Sequence, residues 1–461
     1  MIRSVDQCHS KRKPSFGVQS LGRIGLLFAG VVLTLCVWGA NVSADEIPSA
    51  APQAKPIALV GGTIHPVSGP DIEEGMILFA DGKIVAIGKD LSLPQDAQVI
   101  DVEGKHVYPG MFEGHSQLGL TEFSSTRATV DSSEVGSINP NVKANLAVNP
   151  DSALIPVTRA NGVLLALTAP VGGRIAGQAS VMQMDGWTYE DMTVKPNVGM
   201  VFSWPSGQRF GRRRGGEAVA SADPLKEIKD LLDESKQYAS LREADPDKQP
   251  VDLRLDALVK VASGQMPIIA VADSIGQIES AVGFAARENL KLIILGGYDA
   301  EDCAELLKKH DVPVVIAATH RLPQYRSDQY DASYTLPARL QKAGVRFCIS
   351  GTGRSETWNS RNLPYHAATA VAFGLEIPQA IRSITLSPAE IYGVADRVGS
   401  LDVNKDATLI VTDGNPLEIQ SKVEMAFIQG RTIDLSSKHV RLWEKYKAKY
   451  QQLKDAQKEE E

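Results

Sequence analysis

Six stretches in the middle of the chain are apolar almost without interruption, and segments with helical spacing separate them. Strands that are covered on both faces show this continuous hydrophobicity, as parallel strands usually are. A regular alternation of such strands with helices is typical of a (β/α) barrel. The predicted parallel strands are residues 162–170, 197–205, 266–273, 290–297, 312–320 and 344–351.

The two flanks of this region have a different pattern. Residues 57–108 contain short segments in which apolar and polar positions alternate, and Asp81-Gly82 between two of them is a strong hairpin signal. Residues 398–435 contain further segments of the same kind. We expect the strands of both parts to join in one sheet and form one small β-domain.

The last segment, residues 436–461, has helical spacing and many charges. Leu442, Tyr446 and Tyr450 recur every four residues, which gives a narrow apolar stripe along one side of a helix. We expect this stripe to dock on the barrel or on a neighbouring subunit of a homo-oligomer.

Two separated blocks carry a family resemblance. Residues 56–119 end in HVYPGMFEGHSQLG, and residues 398–416 read VGSLDVNKDATLIVTDGNP. Both blocks resemble the amidohydrolase superfamily, in particular its imidazolonepropionase- and prolidase-like branch. The resemblance implies an α/β fold with a (β/α)8 TIM-type metal-dependent-hydrolase barrel over residues 109–397. It also implies a small composite β-sandwich domain formed by residues 57–108 and 398–435.

The N-terminus has the pattern of an export signal. Basic residues precede the apolar run 24–40, and Val42-Ser43-Ala44 resembles a signal-peptidase cleavage site. We therefore predict a signal peptide at residues 1–44, a Pro/Ala-rich leader at residues 45–56 and a periplasmic or extracellular location. The alternative is a single membrane anchor, but the run of 17 residues is short for a span, which takes about 20. Cleavage would leave no stable membrane anchor.

Charge and cysteine content narrow the possible partners. Without residues 1–44, 43 basic residues stand against 54 acidic ones, a net charge of −11. This sign argues against nucleic acid as a partner and leaves a small-molecule substrate or ligand. Cys303 and Cys348 remain in that part of the chain. Export permits a disulfide between them, but their helix and strand contexts fit buried free thiols equally well.

The resemblance also implies a metal site, and here the motif departs from the family pattern. Where relatives have D-x-H-x-H at the end of the first barrel strand, this chain has Glu113, His115 and Gln117. The last barrel strand has Gly351 near the place of the family aspartate. We interpret this as a degenerate site with His115 and Gln117 as candidate metal ligands. It would hold one zinc-like divalent metal or none.

Two further residues are candidates for catalysis. Asp273 follows a predicted strand at a position where relatives have a histidine, and it could act as a general base or cap the next helix. His320 follows another strand and would face the same end of the barrel, unless it is a hydrogen-bonded structural histidine. Glu113 is either a hydrogen-bonding partner of His115 or a plain loop carboxylate.

Three segments around the predicted barrel mouth have other possible roles. The glycine-rich block at residues 169–187 favours a structural turn near the mouth. Residues 209–244 form either an insertion over the mouth or a solvated excursion. After the last strand, three side chains suit an anionic or polar ligand: Arg354, Trp358 and Arg361.

The resemblance therefore implies a hydrolase that acts on carbon–nitrogen bonds, other than peptide bonds, of a small molecule, and the N-terminal pattern implies that it is exported. The alternative is a catalytically inactive binding or scaffold protein that keeps the barrel and has lost the metal.

Overall fold

The computed structural model describes residues 47–206, 224–352 and 357–460. The predicted signal peptide lies outside these residues. Residues Ile47–Glu461 form one compact unit. Within the described ranges, no helix has the length and hydropathy needed to cross a bilayer.

One sheet contains strands from both flanks of the chain. Its order is β16-β15-β14-β5-β1-β2-β3, and β4 pairs with β1. The strand β5 lies between the two contributions, parallel to β1 and antiparallel to β14. The strands are β1 (Ile57–Ile64), β2 (Ile72–Ala80), β3 (Lys83–Gly88), β4 (Gln98–Asp101), β5 (His106–Pro109), β14 (Leu409–Thr412), β15 (Val423–Ile428) and β16 (Arg431–Thr432).

A second sheet of eight strands runs in sequence order and nearly closes into a barrel. Its interior is filled by apolar side chains from successive strands, among them Phe112, Leu165, Ile269 and Val315. The strands are β6 (Met111–Ser116), β7 (Val163–Thr168), β8 (Ile175–Gln183), β9 (Thr193–Ser203), β10 (Ile268–Ala272), β11 (Leu292–Gly296), β12 (Val314–Ala317) and β13 (Phe347–Ser350). The predicted α/β barrel is confirmed, and all six predicted strands are present.

The barrel departs from eight repeated β/α units at β8. This strand pairs antiparallel with both β7 and β9. It lies in the glycine-rich block that we interpreted as a turn near the mouth; Gly172 and Gly173, both at positive φ, do form the bend between β7 and β8, whereas residues 175–183 form the strand β8, which we did not predict. Gly177 is needed inside the strand because its backbone has a φ of +135° and an added Cβ would lie 2.7 Å from the Val142 carbonyl oxygen. Gly177 therefore permits close packing of a buried strand.

Buried residues of the helices between residues 224 and 383 share one apolar core with the barrel strands, and the described residues contain eleven α-helices in all. They are α1 (Leu154–Arg159), α2 (Tyr189–Met192), α3 (Pro224–Ala244), α4 (Leu253–Ala262), α5 (Ile275–Glu288), α6 (Ala304–Lys309), α7 (Ala332–Ala343), α8 (Leu363–Ala372), α9 (Ile377–Ser383), α10 (Leu386–Ile391) and α11 (Lys438–Glu460). Short 3₁₀ helices are present at Arg127–Thr129, Ala144–Ala147 and Thr357–Asn362.

The helix α3 corrects the prediction for residues 209–244. Its buried residues Ile228 and Leu232 belong to the same core as Leu258 of α4 and Phe284 of α5. Residues 224–244 are therefore part of the outer helical layer and not an insertion over the mouth. Residues 209–223 lie outside the described ranges.

Candidate active site at the barrel mouth

The strand β6 carries the first group of candidate residues. Side chains alternate along a strand, so Glu113 and His115 point to the same side of β6, and Gln117 follows directly. All three side chains are buried. They therefore lie at the C-terminal end of the barrel strands, where barrel enzymes hold their catalytic groups.

Glu113 is fully buried and connects β6 to the end of β13. Its carboxylate accepts hydrogen bonds from the Ser350 hydroxyl at 2.5 Å and from the Gly351 amide at 2.9 Å. The Glu113 carboxylate also accepts a hydrogen bond from the backbone amide of His115 at 3.2 Å. Among the described contacts, no hydrogen bond joins this carboxylate to the imidazole ring of His115. Burial raises the pKa of Glu113 to about 7, although these hydrogen bonds act in the opposite direction. Glu113 is thus neither a partner of the imidazole nor a loop carboxylate.

The Glu113 carboxylate lies where a side chain at position 351 would be. A Cβ atom added to Gly351 would lie 3.0 Å from Oε2 of Glu113 and 3.2 Å from Cα of Leu363. The Glu113 carboxylate therefore occupies space that a side chain at position 351 would need. This explains physically why the longer acid at position 113 occurs together with glycine at position 351.

His115 and Gln117 are neighbours within the buried mouth. The Nε2 atoms of the two side chains are 3.5 Å apart. Nδ1 of His115 is buried and has no hydrogen-bond partner among the described residues. Burial lowers the pKa of His115 to about 4, so the imidazole is neutral near pH 7.

These residues do not fit the metal site that the resemblance implies. Catalytic zinc sites use three protein ligands with an open fourth position. Across residues 47–206, 224–352 and 357–460, no three His, Cys, Asp or Glu side chains lie close enough to hold a metal. His115 has only an amide beside it, and Ser350 and backbone amides already occupy the Glu113 carboxylate. The donor groups at the end of β6 are therefore too few for a catalytic zinc ion.

Asp273 lies at the end of β10 and is held by groups from the next two strands. Its Oδ1 atom accepts from the Tyr298 amide at 3.3 Å and lies 3.4 Å from the Arg321 guanidinium. The guanidinium also lies over the Tyr298 ring, 5.0 Å from the centroid. The capping alternative for Asp273 is wrong, because Ser274 is the N-cap of α5 and forms a capping box with Gln277.

His320 follows β12 and packs on a second histidine. Its Nε2 lies 2.7 Å from the Thr369 hydroxyl, and its ring stacks on His366 with 4.0 Å between centroids. Burial of the ring lowers the pKa of His320, although the residue as a whole is exposed. His366 is buried and accepts from the Thr319 amide at 3.2 Å. Burial, and then the neighbouring His320, lower its pKa to about 3.

The structure brings some of the predicted site residues together and leaves others apart. Arg321 links the His320 loop to Asp273, and His115 contacts Gln117. Among the described contacts, no hydrogen bond joins His115 to Asp273 or to His320. Sequence reasoning missed Arg321 and Ser350, although each is directly adjacent to a predicted strand end or candidate residue.

The polar group predicted after the last strand is only partly described. Arg361 interacts with His439 of the last helix at 3.4 Å, and Trp358 is 44% exposed. Arg354 lies outside the described residues. Both cysteines, Cys303 and Cys348, are free and buried, which resolves the alternative left open by the sequence.

Three comparisons with known proteins find similarity to amidohydrolases. Residues 297–433 match the model of the amidohydrolase family. The chain is 22% identical over 410 residues to amidohydrolase tasK of Hapsidospora irregularis, covering 80% of this chain and 41% of that protein. It is 42% identical over 77 residues to D-hydantoinase of Geobacillus stearothermophilus, covering 17% of this chain and 15% of that protein. The chain thus spans less than two thirds of the length of these curated relatives.

A solved structure extends the similarity over most of the chain. The amidohydrolase of Thermotoga maritima MSB8 superposes with a TM-score of 0.73 at 25% identity, covering 82% of this chain and 99% of that one. A second structure, of molinate hydrolase, has a TM-score of 0.51 at 17% identity and supports the fold alone. The match over residues 297–433 and the similarity to the Thermotoga maritima structure identify amidohydrolases as the proteins that this chain resembles in sequence and in fold.

Proposed function

We propose that this protein is an exported hydrolase that acts on a carbon–nitrogen bond, other than a peptide bond, of a small molecule. We further propose that the metal ligands usual in the family are largely replaced in its site. The observation that carries the hydrolase proposal is the amidohydrolase match over residues 297–433, which includes the His320 loop. Asp273 and His320 support it, because they follow β10 and β12 at the end of the barrel where catalytic groups are held.

The chemistry needs a group that moves a proton. Water adds to the carbonyl carbon of the substrate, the carbon–nitrogen bond breaks, and the nitrogen leaves with a proton. In our proposal Asp273 accepts the proton from water and delivers it to the leaving nitrogen. The Arg321 guanidinium and the Tyr298 amide orient the carboxylate through its Oδ1 atom.

His320 would act as the second polar group. Its lowered pKa keeps the imidazole neutral near pH 7, so one ring nitrogen can donate a hydrogen bond and the other can accept one. The 2.7 Å contact to Thr369 uses Nε2, and in our proposal Nδ1 orients the water or the substrate. This assignment makes His320 a positioning group whose loss affects substrate binding as well as turnover.

A panel of small molecules tests the function. Hydantoin is included because one relative is a D-hydantoinase, together with simple cyclic amides and N-acyl amino acids. Release of the carboxylate and amine products is measured with untreated protein and with protein dialysed against a chelator. The metal content of both samples is measured in parallel. We expect at least one compound to be hydrolysed, and the rate to survive chelation.

His115→Ala separates this proposal from a conventional metal mechanism. We expect the variant to keep its hydrolytic rate within a few-fold, because His115 contacts neither Asp273 nor His320. Stoichiometric zinc in the purified protein, lost in His115→Ala together with activity, would overturn the replaced-ligand proposal. Binding of a compound with no hydrolysis of any member of the panel would instead support the inactive alternative.

The exported location is proposed from the sequence pattern of residues 1–44. It is tested by fractionation of cells that express the full chain, followed by sequencing of the mature N-terminus. We expect a start at Asp45. An uncleaved protein in the membrane fraction would support the anchor alternative instead.

A further inference from the structure

The helix α11 stands clear of the barrel. Every side chain from Leu442 to Lys458 is exposed, whereas the longer barrel helices α3, α4 and α5 each bury a row of apolar residues. Most helices in proteins are stabilised by packing of one face and not by their intrinsic propensity. The prediction that this helix docks on the barrel is therefore wrong for Leu442 onward, and its apolar positions have no partner within the described chain.

These apolar positions form a continuous seam. Trp443, Tyr446, Tyr450 and Leu453 follow each other at alternating spacings of three and four residues, which places them on one side of the helix. Their exposed fractions are 61%, 51%, 61% and 51%, respectively. We call these four residues the aromatic seam.

Basic residues surround the aromatic seam. Over the helix Lys438–Glu460 seven Lys or Arg stand against four Asp or Glu, a net charge of +3 in a chain whose total is −7, and six of the seven basic residues precede Asp455. On a helical projection, Lys447 and Lys454 flank the aromatic seam on one side and Lys449 flanks it on the other. The Lys447 ammonium lies 4.7 Å from the Trp443 ring centroid, so it extends along the seam. The face is both apolar and strongly cationic.

A second copy of the same helix is a poor partner for this face. If two such helices packed seam to seam, the flanking positions would place lysines opposite lysines, which is unfavourable. The seam residues are also unlike the aliphatic residues that favour a dry helix–helix contact. Trp and Tyr have an apolar ring with a polar tip, and this suits the boundary between lipid chains and headgroups.

We propose that α11 binds reversibly to an anionic lipid surface, with the aromatic seam at the headgroup boundary and the flanking lysines against the lipid phosphates. Basic amphipathic helices with aromatic residues bind membranes in this way without crossing them. The proposal is independent of the reaction at the barrel mouth. It attaches the protein to a membrane surface without an anchoring span.

Vesicle sedimentation tests the proposal with residues Ile47–Glu461, which form one compact unit and lack the apolar run at residues 24–40. The probes are vesicles of phosphatidylcholine alone and of phosphatidylcholine mixed with phosphatidylglycerol. We expect binding to the mixed vesicles only, and release at high salt because the attraction is screened. Exchange of Lys447, Lys449 and Lys454 for Glu should weaken binding by at least about tenfold.

Matched variants identify the face that binds. Changing Trp443, Tyr446 and Tyr450 to Ser should abolish sedimentation with the mixed vesicles. Changing Ala448, Gln452 and Asp455 to Ser on the opposite side of the helix should leave it in place. All six side chains are exposed, so neither set disturbs the core.

Three results would overturn the proposal. These are no binding to mixed vesicles, equal binding of the two matched variants, or binding that is unaffected by salt and by the lysine exchanges. A concentration-dependent dimer in analytical ultracentrifugation, lost in the variant of the aromatic seam, would show that a second copy occupies the face instead.

Discussion

Replacing Gly351 by Ala tests whether the Glu113 carboxylate fills the space beside the last barrel strand. The new methyl group would meet Oε2 of Glu113 at 3.0 Å, and Cα and N of Leu363 at 3.2 and 3.3 Å. The Leu363 atoms are backbone at the start of α8, so they cannot move without shifting the helix. Overpacking of this kind costs about 1–3 kcal/mol.

The effect of the substitution on the unfolded chain opposes this cost. Replacing glycine by alanine reduces the entropy of the unfolded chain and stabilises a protein by about 0.4–1 kcal/mol where the backbone permits it. We therefore expect Gly351→Ala to lower the free energy of unfolding by about 1–2 kcal/mol, from the difference between the two effects. The assay is urea unfolding followed by tryptophan fluorescence at constant pH.

Two further variants make the result specific to Glu113. Gly276→Ala is the matched control: Gly276 lies in α5 and an added Cβ has no atom within 4 Å, so we expect a small gain in stability. In a double-mutant cycle, Glu113→Asp should relieve part of the cost of Gly351→Ala, because the shorter side chain withdraws from the added methyl. If Gly351→Ala behaves like Gly276→Ala, or if the two changes at the mouth are additive, the coupling between Glu113 and position 351 does not exist.

Two other predictions concern buried ionisable side chains. The pKa of His366 is about 3 in the folded protein and about 6.5 in the unfolded chain, so the unfolded state binds more protons between these values and stability falls as the pH falls below 6.5. The free energy of unfolding, measured with urea at pH 7 and pH 5, should fall in the wild type, and this fall should be smaller in His366→Asn by about 1 kcal/mol per pH unit. An equal dependence of the free energy of unfolding on pH in the two proteins would contradict this prediction. Asp185 is buried between Arg159 and Arg431, both at 2.8 Å, and Asp185→Ala should cost about 3–5 kcal/mol because it leaves buried guanidinium groups unpaired. A cost near that of an exposed control, Asp302→Ala, would show that the arginines find other partners.

The barrel could be predicted from the sequence because its strands are unusually regular. Both faces of β7 and β9–β13 are covered, so their hydrophobicity is continuous and is visible without any knowledge of the partners. The strand β8 was missed because its fully buried residues include Gly177, Gln178 and Ser180. Their burial depends on neighbouring strands and on hydrogen bonds such as the one from Gln178 to the Pro140 carbonyl, which no local pattern records.

The positions of the candidate residues along the barrel strands were predictable from the sequence, but the contacts between these residues were not. The positions of Asp273 and His320 after buried strands follow from the strand pattern. Their partners Arg321 and Thr369 depend on how neighbouring loops and helices meet in space. The same holds for Glu113, whose contact with Gly351 joins residues 238 positions apart. The stripe on the last helix was also visible in the sequence, whereas its lack of a partner was not.

The most direct test of the proposed function compares Asp273→Asn with Asp302→Asn, an exposed aspartate three residues beyond Asp299 that serves as a matched control. The rate of hydrolysis is measured for each variant at a saturating concentration of a substrate that the wild type turns over. If Asp273 moves the proton, we expect Asp273→Asn to lose about 10²–10⁴-fold in kcat, as is typical for a general base, and Asp302→Asn to match the wild type. Equal rates for Asp273→Asn and the wild type would contradict the account.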